Sequence, residues 1–336
     1  MISAASSGGA ASSGGASSSV ASDGLAPKDG GTSLTFSTGG DQGTYYGFGG
    51  VLAGKVSETT STTVTAITSG GSQANVEALD MGDAQLGFVQ TDVGAYAYNG
   101  TRLFEETGKV DNFSTVANLY VEQVQIVTRD ESIKSVADLK GKTVYATGKG
   151  STPEYFLRYV LTQNGLDPDT DVTLDWKSEP SEVLAVLNGQ GSGIAMLPQP
   201  YVTAAAAQLG EGFQVKLSVS EEWQKVSGGT PCTTACILVR SQFAEENPAA
   251  VEQFLADYAD SAAWVNENVE AAGDLCGQYE IVKAPIAKKA IPQCNIVSIT
   301  GSDMKAALSG CLEVLFQQNP AAVGGALPQD DFYYGA

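Results

Sequence analysis

Short β-prone apolar runs alternate with longer amphipathic stretches over residues 33–98. A short strand, a loop rich in Gly, Ser and Thr, and a helix follow one another three times in this region. The predicted strands cover 34–37, 63–67 and 85–89, and the predicted helices cover 45–56, 73–81 and a segment into Tyr98. This alternation is typical of an α/β domain with a parallel sheet. In such a sheet, ligands bind beyond the carboxyl ends of the strands, where the three loops converge.

The same alternation resumes after residue 116. Two β-prone runs within 116–128 are expected to carry the chain from one domain into the next, and a strand at 234–239 is expected to return it to the first. Between these crossings we predict strands at 143–146, 171–176 and 193–197 and helices at 153–164, 181–187 and 202–209. Four further helices are predicted at the end of the chain, over 248–266, 269–279, 284–290 and 302–317.

The loop before the helix at Pro153 is a candidate ligand site. Gly148, Gly150, Ser151 and Thr152 lie between a strand and a Pro that opens the helix. The first turn of a helix has N–H groups without helical partners, and these suit an anionic ligand. The alternative is that Ser151 and Thr152 only cap the helix.

Composition narrows the class of protein. Residues 1–31 are almost all Ser, Gly and Ala, so we expect a disordered linker. The formal net charge of −20, from 18 Lys and Arg against 38 Asp and Glu, argues against nucleic acid as a partner. No apolar run is long enough for a transmembrane helix. A tail of this kind commonly separates a lipid anchor from a secreted domain, so we expect that a leader and its anchoring Cys were removed and that Met1 was added.

The sequence offers no catalytic or metal-binding set. It has no His, which excludes Ser-His-Asp and Cys-His sites and most zinc sites, and no stretch fits a P-loop. The small residues of 47–50 lie inside a predicted helix and more plausibly allow close packing. The five Cys all lie in the last third; Cys276 and Cys294 could form a disulfide, and the alternative is that the cysteines are small buried residues. We therefore predict neither an enzyme, a cofactor nor a metal.

The first lobe resembles a known family of transport receptors. The segments 38–46, 68–75, 86–93 and 119–127, with Ala95 and Tyr96, are similar to those of TAXI-type solute receptors of TRAP transporters. This resemblance implies a type II periplasmic-binding-protein fold, in which two α/β lobes close on a ligand by hinge bending. It also implies a ligand such as glutamate or a related dicarboxylate and delivery to a membrane importer.

The rest of the chain resembles another family with the same fold. The segments 145–155, 196–203, 243–248 and 327–334 are similar to the substrate-binding proteins of nitrate/sulfonate/taurine-type ABC transporters. Residues 150–153 also depart from the G-S-G-type loop expected of a TAXI second lobe. The two resemblances meet in 133–142, so the chain looks like a hybrid. Both imply one fold, with lobe 1 at 32–125 joined by about 225–336 and lobe 2 at 126–224.

Together these features predict an extracytoplasmic solute-binding protein, lipid-anchored in its native form and monomeric. It captures a small, anionic ligand and delivers it to the subunits of a membrane importer, of the TAXI-type TRAP class or, as the alternative, of the ABC class. The expected ligand-binding residues are Gly43, Thr44, Tyr45, Tyr46, Gly71, Ser72, Asn75, Gln90, Asp92, Ser151, Thr152 and Gln199. Each has a structural alternative: Tyr45 and Tyr46 as core residues, Asp92 as a helix cap, and Gln199 as part of a turn.

Two other functions are less well supported by the sequence. The ABC resemblance extends to thiamin-pyrimidine synthases, enzymes on the same fold that are expected to use His and a Lys-bound cofactor, and this chain has no His. An effector domain of a transcription regulator would need an upstream helix-turn-helix, where this chain has its Ser/Gly/Ala tail.

Overall fold

The structure is a computed structural model that describes residues 31–40, 44–121, 124–210 and 212–335, without the side chains of Thr44 and Thr59. The predicted linker over 1–31, except for Gly31, lies outside the described residues. So do the predicted ligand residue Gly43 and the side chain of Thr44.

The β-strands form two separate sheets. Their bounds are β1 Ser33–Ser37, β2 Thr63–Ile67, β3 Leu86–Gln90, β4 Phe113–Val121, β5 Val124–Thr128, β6 Thr143–Ala146, β7 Thr173–Trp176, β8 Ile194–Pro198, β9 Gln214–Ser218, β10 Thr233–Arg240 and β11 Ile296–Thr300. One sheet has the order β11-β4-β10-β3-β1-β2, and the other has the order β7-β6-β8-β5-β9.

The helices cover both sheets. Their bounds are α1 Thr44–Thr59, α2 Ser72–Met81, α3 Thr91–Asn99, α4 Thr152–Gln163, α5 Pro180–Gln190, α6 Tyr201–Leu209, α7 Val219–Val226, α8 Ser241–Glu246, α9 Pro248–Glu267, α10 Val269–Gln278, α11 Ala284–Ala290 and α12 Gly301–Gln318. We define lobe 1 as the six-stranded sheet with α1–α3 and α8–α12, and lobe 2 as the five-stranded sheet with α4–α7.

The two sheets share one arrangement of strands. In lobe 1, β1 pairs in parallel with β2 and β3, and β10 is antiparallel to β3 and β4. In lobe 2, β6 pairs in parallel with β7 and β8, and β5 is antiparallel to β8 and β9. The chain passes between the lobes twice, between β4 and β5 and between β9 and β10. The parallel pairing predicted for the first three strands is therefore present, within a sheet that also has antiparallel strands, and strands lie at 116–128 and at 234–239 as predicted.

Aromatic side chains anchor the core of each lobe. In lobe 1 the ring centroids of Phe36 and Phe88 are 4.3 Å apart. In lobe 2 the ring centroids of Phe156 and Trp223 are also 4.3 Å apart. All four side chains are fully buried. The lobe 2 core also includes Leu312 of α12, so the last long helix of the chain packs against both lobes.

Two strands and two helices of the structure were not predicted from the sequence pattern. The strands β9 and β11 lie at sheet edges, and β9 buries only Leu217 fully, so neither shows a strong apolar run. The helices α7 and α8 are 8 and 6 residues long, too short for a clear helical period. None of the helices in the described part of the chain is both long and apolar enough to span a membrane.

Candidate functional site

A cavity of about 520 Å³ lies between the two lobes. Lobe 1 lines it with residues near the carboxyl ends of β1 and β3 and on α1, and lobe 2 with residues that follow β6, β7 and β8. The lining residues of lobe 1 outside the last helices are Gly39, Gly40, Tyr45, Gly47, Phe48, Val51, Gly71, Gln90 and Tyr120; those of lobe 2 are Thr147, Gly148, Ser151, Pro153, Ser178, Glu179, Pro180, Pro198, Gln199 and Pro200. The site is therefore at the edge of the sheets where the βα loops meet.

Hydrogen bonds hold the lobe 1 loop between β2 and α2 in place. The Gly71 N–H donates to Ser69 Oγ at 3.1 Å, and the Ser72 hydroxyl accepts from the Gln90 N–H at 3.0 Å. Gly71 has a φ of 98°, a conformation that favours glycine. Gly71 and Gln90 line the cavity, whereas Ser72 links β3 to α2 and does not.

Asn75, another predicted ligand residue, is fully buried below this loop. Its side chain accepts from the Ser37 hydroxyl at 2.7 Å and donates to the carbonyl oxygens of Thr38 and Phe88, each at 2.6 Å. Both ends of the amide are thus used to join the ends of β1 and β3. Asn75 shapes the cavity floor and does not line it.

The two predicted tyrosines have different positions. Tyr45 lines the cavity, and its ring also packs against Phe88 at 5.5 Å between centroids. Tyr46 is half-buried and is not among the residues that line the cavity. The close approach of Ile281 to α1 depends on Gly47, because a Cβ at position 47 would overlap with Ile281 Cγ2. The prediction that the small residues of 47–50 serve packing is confirmed at Gly47.

In lobe 2, a carboxylate of the chain itself occupies the N-terminus of α4. Glu154 Oε2 accepts from the Gly150 N–H at 2.6 Å, and Glu154 Oε1 pairs with Arg158 Nε at 2.8 Å. The Ser151 hydroxyl, which lines the cavity, donates to the Gly148 carbonyl oxygen at 2.9 Å. The Gly150 N–H, in the loop where we predict an anion site, is thus bound by Glu154.

A similar arrangement closes the N-terminus of α5. Glu182 Oε2 accepts from the Ser178 N–H at 3.0 Å, and Ser178 lines the cavity. The neighbouring Glu179 also lines the cavity but is exposed. Helix α6 begins after Pro198 and Pro200, which have no N–H to donate.

Gln199, between these prolines, has its side chain engaged within lobe 2. It donates to Gln125 Oε1 at 3.2 Å and accepts from the Thr203 hydroxyl at 2.9 Å. It is 9% exposed and lines the cavity. Both ends of the side-chain amide are thus held by bonds within lobe 2.

Asp92 and Thr152 lie where the lobes touch behind the cavity, and neither lines it. Burial raises the pKa of Asp92 to about 6, and hydrogen bonding by Thr152 and by the Val93 backbone only partly offsets this. Nearby, the hydroxyls of Tyr96 on α3 and Tyr155 on α4 are 3.3 Å apart. These residues form an interlobe contact.

A third wall of the cavity comes from the end of the chain and was not anticipated as a binding element. It is apolar apart from two thiols and consists of Val265, Ala272, Cys276, Ile281, Val282, Ala287, Ala290, Ile291, Cys294 and Ile296. We call these residues the C-terminal wall. Helices α10 and α11 pack so tightly that a Cβ at Gly273 would overlap with Lys288. Helix α11 also contacts α6 of lobe 2. The glycines in α10 and the small residues of 284–290 were the available sequence signals.

The chemistry of the cavity is mainly apolar. Among the described residues that line it, none is Lys or Arg and Glu179 alone is charged. Cys276 and Cys294 line it as half-buried residues, and the structure has no disulfide between them, which the sequence left open. Cys232, Cys236 and Cys311 are buried. No group of three or more metal-ligating side chains occurs in the described part of the chain.

Comparison with protein families finds a match that includes parts of both lobes. The model of the NMT1-like family matches residues 36–246. That match begins within β1 and ends with α8, so it covers 36–125 of the predicted first lobe and all of lobe 2, and it stops before α9.

Solved structures of binding proteins match nearly the whole chain. An ABC transporter protein from Parabacteroides distasonis is 16% identical, with a TM-score of 0.69 over 90% of this chain and 98% of that chain. The periplasmic aliphatic sulphonate binding protein SsuA from Escherichia coli is 20% identical, with a TM-score of 0.66 over 90% and 96%. The alkanesulfonate-binding protein SsuA from Xanthomonas axonopodis pv. citri, bound to MOPS, is 17% identical, with a TM-score of 0.61 over 88% and 94%. The predicted type II periplasmic-binding-protein fold is confirmed.

Proposed function

The chain belongs to the NMT1-like family, and from this premise we propose that it is the substrate-binding subunit of an ABC importer. It captures a small organic molecule in the cleft between its lobes and presents it to the membrane subunits of the importer. The cavity of about 520 Å³ supports this proposal most strongly, since its volume falls in the range of ligand sites and both lobes line it.

The fold provides a means of capture. Two segments connect the lobes, one between β4 and β5 and the other between α7 and β10, and such crossings act as hinges in two-lobed binding proteins. A ligand that touches both walls favours the closed arrangement because it gains contacts only there. The hinge positions near residues 125 and 225 are part of this proposal.

The importer class is better supported as ABC than as TRAP. The structural neighbours include ABC and sulphonate-binding proteins and match about nine-tenths of the chain. The TAXI resemblance of 38–127 gains no support from the family match, and glutamate or another dicarboxylate remains a prediction from that resemblance alone. The enzyme alternative has no site in its favour.

Among the predicted ligand residues, we propose direct contact for those that line the cavity. These are Tyr45, Gly71, Gln90, Ser151 and Gln199. The hydrogen bonds of Ser72 and Asn75 and the interlobe contact of Asp92 with Thr152 instead hold the surrounding loops. Location outside the cytoplasmic membrane, a lipid anchor and a monomeric state belong to the same proposal.

A thermal-shift screen of small molecules tests the proposal. The set includes sulfonates, taurine, nitrate, dicarboxylates, amines, alcohols and heterocycles. A ligand at a hundredfold over its Kd adds about 2.7 kcal/mol to the free energy of unfolding, which raises Tm by several degrees. We expect at least one such compound.

Two variants show whether that compound binds in the cleft. Gly40→Trp places an indole in the cavity from a position where a Cβ meets no atom within 4 Å. Gly189→Trp on α5, a position equally open but away from the cavity, is the matched control. The proposal predicts that the shift disappears in Gly40→Trp and persists in Gly189→Trp. A screen without a hit, or hits that are equal in both variants, would contradict it.

A further inference from the structure

The cleft combines an apolar wall with a lining that, over the residues the structure describes, includes no Lys or Arg. Among the described residues that line the cavity, the one charged side chain is the exposed carboxylate of Glu179. An anion in this cleft would lose hydration without an ion pair in return.

The helix N-termini of lobe 2 do not supply the missing positive potential. At α4, Glu154 accepts from the Gly150 N–H at 2.6 Å while it is only 8% exposed. At α5, Glu182 accepts from the Ser178 N–H at 3.0 Å. Each carboxylate neutralises the end of the helix that would otherwise attract a negative group. A second anion beside Glu154 would also be repelled by it.

The C-terminal wall favours hydrocarbon or aromatic groups. Val265, Ala272, Ala287 and Ile291 belong to one buried apolar cluster, and all four also line the cavity. Ile281 and Ile296 extend this surface. Because contact with such a wall removes apolar ligand surface from water, its contribution grows with the size of the hydrocarbon part.

From these three observations we propose that the cleft selects a ligand with a largely hydrocarbon or aromatic body and no negatively charged group. Its polar end, neutral or cationic, lies near Gln199 and Glu179, and its body lies on the C-terminal wall. This rests on the proposed function, because it concerns the same cleft, and it replaces the anionic ligand expected from the sequence.

Three probes with one tail test the charge preference: 1-octanol, octylamine and octane-1-sulfonate. Binding is measured as protection of the two thiols of the wall, Cys276 and Cys294, from alkylation by N-ethylmaleimide, read by peptide mass spectrometry. The wild-type protein is compared with Gly40→Trp and Gly189→Trp to confirm that protection comes from the cleft. We expect 1-octanol or octylamine to give half-protection at a concentration at least tenfold lower than octane-1-sulfonate does.

Lys149 supplies a further control. It is exposed and follows the lining residue Gly148, although it does not itself line the cavity. Protection by octane-1-sulfonate at an equal or lower concentration than the other probes would overturn the proposal, and its loss in Lys149→Ala would identify the cation responsible. Absence of protection by all three probes would also overturn it. In either case the solute-binding function is tested independently, by the thermal-shift screen.

Discussion

Glu154 Oε2 accepts a hydrogen bond of 2.6 Å from the backbone N–H of Gly150, so a carboxylate from the first turn of α4 binds the loop that precedes this helix. The other oxygen of Glu154 pairs with Arg158 at 2.8 Å. The Glu154 carboxylate thus satisfies an N–H group of a loop whose sequence resembles an anion site. In the ligand preference proposed above, this bond is one reason why the lobe 2 side of the cleft does not favour an anion.

Removal of the Glu154 charge should destabilise the protein. Glu154→Gln keeps the shape of the side chain but loses the charge-assisted bonds to Gly150 and Arg158, and it should lower the free energy of unfolding by about 1–3 kcal/mol. Urea denaturation measures this. Glu245→Gln, at an exposed position on α8, should change stability by no more than about 0.5 kcal/mol. Equal effects of the two substitutions would show that the Glu154 contacts contribute nothing.

The two glycines of α1 at 47 and 50 should respond in opposite directions to alanine. A Cβ at Gly47 would overlap with Ile281, so Gly47→Ala should cost about 1–3 kcal/mol through overpacking. A Cβ at Gly50 meets no atom within 4 Å, so Gly50→Ala should stabilise by about 0.5–1 kcal/mol through helix propensity. Thermal unfolding of both variants tests the pair, and a neutral Gly47→Ala would disprove the close contact of α1 with Ile281.

Asp92 should make stability depend on pH in a defined window. Burial raises its pKa from 3.8 to about 6 in the folded protein, so the folded state binds the proton more tightly than the unfolded state. The ionised form therefore carries a cost of about 3 kcal/mol that is fully present above pH 6 and is relieved as the pH falls toward 3.8.

Asp92→Asn, a neutral side chain of the same shape, removes this cost. The variant should be more stable than the wild-type protein at pH 7, by up to about 3 kcal/mol, and the difference should shrink to near zero by about pH 4. Urea denaturation across this range measures the difference. A constant difference between pH 7 and pH 4 would mean that Asp92 does not titrate as its burial requires.

The five cysteines should divide into two reactive and three protected thiols. Cys276 and Cys294 line the cavity, whereas Cys232, Cys236 and Cys311 are buried. Burial also raises the pKa of Cys236 and of Cys311 to about 12, which suppresses their thiolates.

Intact mass after N-ethylmaleimide should therefore show two additions to the native protein and five to the unfolded protein. The double variant Cys276→Ser with Cys294→Ser should show none in the native state. Additions at Cys232 or Cys311 before unfolding would place those residues outside the core.

The sequence predicted the fold better than the site, for identifiable reasons. Strand, loop and helix alternation depends on local pattern, and both β1–α1 and β6–α4 follow it. Contacts between distant segments leave no such pattern. The Asn75 side chain joins two strand ends by donating to the carbonyl oxygens of Thr38 and Phe88, which lie 37 and 13 positions away along the chain. Nothing near Asn75 in the sequence distinguishes this role from ligand binding. Ile281 and Ala290 reach the cavity only because α10 and α11 fold back between the lobes.

The inference on the polarity of the site also depends on contacts that local pattern does not show. Gly, Ser and Thr before a helix suggest an anion, but Glu154 and Glu182, in the first turns of their helices, accept from N–H groups of the same loops. Their effect becomes visible only when the turn is built. Acidic residues in the first turn of a helix are a sequence signal that could have raised this alternative.

Isothermal titration of the tightest compound from the library screen tests the central claim most directly. One molecule should bind per chain, and Gly40→Trp should weaken its affinity at least tenfold while Gly189→Trp leaves it unchanged. That result would place the ligand between the lobes. Binding of unchanged affinity and stoichiometry in Gly40→Trp would contradict the account, because the ligand would then lie outside the cleft.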